Sequence, residues 1–270
     1  MNSNPTLKVP AILTIILGVL VLISALAGLI VPEFYHFADP LLRPGCYSQD
    51  WVTLAALPVL FWGVRAALQG SLRGITVWLG LLAYYIYGYL VYSFAPLYTP
   101  LYPLYIAIAA LSLFAAVIAG RYLDIQAFHD RLRAHIPAGL VILLFGITVV
   151  ALAPVWFFQM VEAISAGKVS QFTTIHVLDL GFVFPALAAV AVGLWTHRPW
   201  SYALTGPLLV LSVTMTSSLV VGEILALLRA RPDPLYLSII FTLIALSGGL
   251  LTHMYLRDLG GKELRGIGAK

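Results

Sequence analysis

Eight apolar runs of about twenty residues, nearly free of charge, decide what this chain can become. The first reads ILTIILGVLVLISALAGLIV (12–31) and holds no ionisable side chain. A run of that length suits hydrocarbon. There the backbone must satisfy its own hydrogen bonds, so each run is expected to be a helix. Barrel strands would be shorter and would alternate apolar with polar residues, and these runs do not alternate. The predicted spans are 9–31, 51–69, 73–95, 103–121, 137–162, 173–195, 203–226 and 234–256. The expected fold is all-α, a polytopic transmembrane helical bundle forming one domain over residues 1–270. Composition agrees. The chain is 61% hydrophobic and 10% charged, with a mean hydropathy of +0.97, whereas a soluble domain carries about 25% charged residues.

Loop charge sets the orientation. With the N-terminus inside, the inner face receives Lys8, Arg65, Arg73, Arg121, Arg131, Arg133, Arg198, Arg257, Lys262, Arg265 and Lys270. The outer face receives Arg43, Lys168, Arg229 and Arg231. The positive-inside bias therefore places both termini in the cytoplasm, although Arg229 and Arg231 oppose it. The expected location is the plasma (inner) membrane of a bacterium. Lys8 and the small residues of SALAG (24–28) also resemble a signal peptide with its cleavage site. The apolar run is long for that purpose, and a retained anchor is expected. A net charge of +4 with scattered basic residues suits anionic headgroups and excludes a nucleic-acid surface.

Two connections stand out. In RYLDIQAFHDRLRAHIP (121–137), Ile125, Phe128, Leu132 and Ile136 form one stripe opposite Asp124, Asp130, Arg131 and Arg133. That pattern predicts an amphipathic segment lying on the inner interface and dividing four spans from four. Outside, PLYTPLYPLY (96–105) makes a stiff, tyrosine-rich turn at headgroup depth. Trp156, Trp195 and Trp200 are expected as interfacial anchors, and Arg65 and His253 as snorkelling residues at helix ends. The single cysteine, Cys46, reads as an incidental loop residue that forms no intrachain disulfide.

Ionisable residues inside the apolar spans carry the chemistry, because hydrocarbon tolerates them only beside a partner or a cavity. His176 and Asp179 are one helical turn apart, ahead of Gly181 and Pro185, which allow a bent helix. At ~1.5 Å per residue, Asp179 lies ~9 Å and Glu223 ~5 Å below the same outer surface. Glu162 ends span five on that side, and Asp50 and Glu33 sit at the outer mouth. Span seven adds a polar face of Thr205, Ser212 and Thr216, and span three a tyrosine face of Tyr84, Tyr85, Tyr87, Tyr89 and Tyr92. Three readings of the outer layer stay open. It is a closed network with His176 bonded to Asp179 or Glu223, an outward pocket for a solute or cation, or a metal site built from His176, Asp179, Glu162 and Glu223. The lone histidine makes the last a poor zinc signature.

The stretches RGITVWLGLLAYYIYGYLVYSF (73–94) and LDLGFVFPALAAVAVGLWTHRPWSYALTGPLL (178–209) resemble uncharacterised prokaryotic multi-pass membrane proteins. The resemblance covers about a fifth of the chain and implies no activity. Three functions are therefore expected in order: a non-catalytic sensor, assembly or interaction role; a small-solute or proton- or cation-coupled permease using Asp179 and Glu223; and an intramembrane metal-dependent hydrolase. No nucleotide-binding loop is present, and no cofactor is expected. The expected partners are the bilayer and a small solute or cation.

Overall fold

The structure, a computed structural model, describes residues 7–36, 38, 42–95, 97–170, 172–228 and 235–260. Arg229, Arg231, Lys262, Arg265 and Lys270, used above for orientation, lie outside the described residues, as does Pro96 of the tyrosine-rich turn. The described residues are helical throughout, without strands. Helices α1 (Lys8–Ile30), α2 (Arg43–Leu68), α3 (Leu72–Phe94) and α4 (Tyr102–Gly120) precede a short connector, α5 (Ile125–Leu132). Then follow α6 (Ala138–Ser165), α7 (Thr173–Leu178), α8 (Phe184–Trp195), α9 (Pro199–Leu228) and α10 (Leu235–Asp258). The pair α7–α8 forms one span, and eight helical segments in all are long and apolar enough to cross a membrane.

Two rings of four organise these spans. Helix α1 packs on α2 and α4, and α3 closes the ring by packing on the same two. In the second half α6 packs on α8, α8 on α9, α9 on α10, and α10 returns to α6. Helix α9 joins the rings by packing on α2 and α3. Helix α3, with α2, α4 and α9 around it, is therefore the most enclosed: 72% of its apolar window is buried, against 28–44% in the other spans. Small residues make the joint possible, as is usual between membrane helices. A Cβ at Gly80 of α3 would stand 2.5 Å from Val210 Cβ and 2.8 Å from the Pro207 carbonyl of α9. Helix α1 belongs to this packing, with Leu17, Val21 and Ala25 fully buried. Its Thr14 hydroxyl accepts from the Trp78 indole of α3 at 2.9 Å.

Two expectations change. Helix α2 begins at Arg43, two turns earlier than predicted, because Pro44 occupies a first-turn position where its missing N–H costs nothing. Arg43 fastens that start by donating to the carbonyls of His36 (2.8 Å) and Ala38 (3.1 Å). Asp50 consequently lies inside the bundle, 1% exposed, and not at an outer mouth; Glu33 remains exposed in the loop. The connector also differs. Asp124 caps α5 by accepting from the Ala127 N–H at 3.0 Å. Phe128, Leu132 and Ile136 are buried, and the connector packs on α9 and α10; only Ile125 of the stripe stays exposed. The stripe thus covers the end of the second ring where α10 finishes, and its apolar face is spent on protein. Arg131 donates to the Leu259 carbonyl (2.7 Å), and Arg73 to those of Leu256 (2.5 Å) and Arg257 (2.9 Å). These arginines supply the donors that the last turn of α10 lacks.

Candidate functional site

Span 173–195 is neither straight nor broken. Residues Asp179–Val183 form a π-helical turn, with the Phe184 N–H bonded to the Asp179 carbonyl five residues back. Pro185, which has no N–H, prevents an ordinary α-turn from closing on the Gly181 carbonyl, so the helix absorbs the mismatch as one wide turn. The wide turn starts at Asp179, where the expected bend falls.

Beside it lies a cavity of about 420 Å³ at the end of the bundle opposite α5. Helices α2, α3, α6, α7, α9 and α10 all contribute to its wall. His176, Asp179 and Glu223 line it together. His176 and Asp179 do not pair with each other. The His176 Nε2 is 3.1 Å from Gln159 Oε1, and its ring lies 5.8 Å from that of Trp156. The Asp179 carboxyl accepts from the Trp156 indole N–H at 2.7 Å, and Tyr87 lines the cavity beside it. Glu223 accepts from the Ser238 hydroxyl at 2.9 Å. Each polar side chain thus keeps a neighbour while facing one shared space.

The remaining wall is mostly apolar or aromatic: Leu42, Val91, Tyr92, Met215, Leu219 and Phe241. Gln49 of α2 crosses it over Gly88, where a Cβ would stand 2.3 Å from Gln49 Nε2. The Gln49 Oε1 accepts from the Ser218 hydroxyl at 3.1 Å, and its amide nitrogen has no hydrogen-bond partner. The site therefore offers carboxylate acceptors and aromatic faces.

Several expected members stand elsewhere. Glu162 is exposed at the end of α6 and lines no part of the cavity. The polar face of α9 is used within its own helix: Thr205 donates to the Ser201 carbonyl and Thr216 to that of Ser212, both at 2.7 Å. Among the described residues no three His, Cys, Asp or Glu side chains converge as a metal-ligand set. Trp156 is a cavity residue rather than an anchor, whereas Trp195 and Trp200 stay on the surface, as do Arg65 and His253. Cys46 is a buried wall residue of α2, not part of a loop. Its carbonyl accepts from the Tyr92 hydroxyl at 3.1 Å. Sequence reasoning named Tyr87 within the tyrosine face but missed Gln49 and Gln159. For Gln159 the available signal was a neutral polar group inside an apolar span, which must find a partner or a cavity; Gln49 lies ahead of the predicted span.

Comparison with family models, with curated proteins and with solved structures finds no match to this chain. Fold and site define its class by themselves: a multi-pass membrane protein, an eight-span helical bundle with a mostly apolar cavity at one end that holds His176, Asp179 and Glu223.

Proposed function

We propose that this protein binds a small organic cation from the outer side of the bacterial plasma membrane and carries it across. The observation supporting this is that Asp179 and Glu223, on different helices, line one cavity of about 420 Å³ that has aromatic walls. Carboxylates favour a positive charge, and aromatic faces attract it further. The volume lies within the usual range of small-molecule sites. The π-helical turn under Asp179 is the kind of helix discontinuity that accompanies carrier sites.

The test starts with a panel of primary and quaternary amines, screened by thermal shift of the purified protein. The amine that stabilises it is then followed into proteoliposomes. Asp179→Asn and Glu223→Gln each lower its flux more than tenfold while the variants stay folded, since truncating one partner of a buried charge pair costs about 2–5 kcal/mol. Unchanged flux in both variants refutes the reading. The sensing role shares this cavity and is favoured by one feature, the seal of α5 and the two arginines at the inner end. Saturable binding without any flux would select it.

A further inference from the structure

A second polar nest lies inside the first ring, separate from the cavity. The Asp50 Oδ2 accepts from the Tyr35 hydroxyl at 2.6 Å, while its Oδ1 has no hydrogen-bond partner. Facing it, α1 presents Ser24 and, one turn further, Gly28. A Cβ at Gly28 would stand 2.0 Å from Asp50 Oδ2 and 2.5 Å from the Tyr35 oxygen, so a glycine is what lets the carboxyl come this close. The Tyr89 hydroxyl of α3 lies beside Ser24 and in the field of Asp50. Ser24 and Tyr89 are 0% and 1% exposed, and neither hydroxyl completes a hydrogen bond.

The titratable groups around Asp50 are Tyr35 from the loop, Cys46 from α2, Tyr84, Tyr89 and Tyr92 from α3 and Tyr105 from α4. Among the described residues no lysine, arginine or histidine forms an ion pair with Asp50. Burial, with the Asp50 charge beside it, pushes the Tyr35 phenol well above its ordinary range, so Tyr35 remains a donor. A carboxyl so placed must either hold a proton or take a counter-charge from outside the protein. One carboxylate matches one positive charge. A proton would serve Oδ1 alone, whereas a hard cation gives Oδ1, Ser24 Oγ and the Tyr89 oxygen a common partner.

We propose that Asp50, Ser24 and Tyr89 form a binding site for a sodium-sized monovalent cation, covered on the outer side by Tyr35. The site adjoins the cavity without being part of it. Tyr92 lines the cavity, and its ring lies 5.7 Å from that of Tyr89 and 6.3 Å from that of Tyr35. The inference does not depend on the solute reading, because its test uses no solute.

The full-length protein in detergent is unfolded thermally in sodium chloride and in N-methyl-D-glucamine chloride of equal ionic strength and pH, with equilibrium binding of radioactive sodium alongside. Wild type shows a saturable, sodium-specific rise in Tm and stoichiometric sodium. Asp50→Asn loses both. Ser24→Ala and Tyr89→Phe, which remove only a hydroxyl, stay folded and bind sodium about tenfold or more weakly, so the test survives a failure of Asp50→Asn to fold. No bound sodium in the wild type, or a sodium response retained in Asp50→Asn, overturns the proposal. A protonated-carboxyl infrared band lost in Asp50→Asn, with no sodium dependence, assigns the proton instead and equally overturns it.

Discussion

Trp156 shows what a single side chain does at this site. Its indole N–H fixes the Asp179 carboxyl, and its ring lies beside His176. Replacing it with phenylalanine keeps much of the ring but removes the donor on that carboxyl. Trp156→Phe is expected to lower stability by about 1–3 kcal/mol, measured by denaturant unfolding in detergent. At this scale the sequence was readable where charge was involved. His176, Asp179 and Glu223 stand out in apolar runs, and loop charge placed them at one level. Glu162 shared that level, but depth does not reveal which way a side chain on a terminal helical turn faces, and it faces outward. Trp156 was misread because a tryptophan near a span end usually marks the headgroup region; here its N–H has a carboxyl to serve.

Among elements, the span Thr173–Trp195 carries the most information. A π-turn is one residue inserted into an α-helix. Deleting Gly181 restores the regular helix, and since α8 is held by α6 and α9, the compensating rotation falls on α7. Asp179 then turns about 100° away from the cavity wall. Deletion of Gly181 should abolish solute binding as fully as Asp179→Asn, read by the same thermal-shift titration, while Gly181→Ala leaves it intact because nothing lies within 4 Å of the added methyl. Gly181 and Pro185 made an irregularity legible, though not its kind, because widening and breaking are local alternatives decided by packing on both sides. Helix α2 shows the opposite case. Hydropathy starts it at Trp51, since the two turns before are polar. Pro44, the Arg43 clamp and buried partners for Cys46, Gln49 and Asp50 extend it to Arg43.

The whole molecule rests on the joint between its rings, and Gly80 is one of the close points of that joint. Gly80→Ala presses a methyl into Val210 and the Pro207 carbonyl and is expected to cost about 1–3 kcal/mol. Gly146→Ala in α6, with nothing within 4 Å, serves as control and should be neutral or slightly stabilising in the same thermal assay. The eight spans were plain from hydropathy alone. The packing of α9 against α2 and α3 was not, because contacts between distant spans leave no periodic mark in one sequence. That joint also bears on synthesis. The first ring is complete once α4 has been inserted, but the cavity wall draws on both rings and gains Phe241 only with α10. A nascent chain therefore holds Asp179 and Glu223 in the bilayer before their pocket exists. Assembly of the site waits for α10, and chains stalled before it should be the ones that membrane proteases remove.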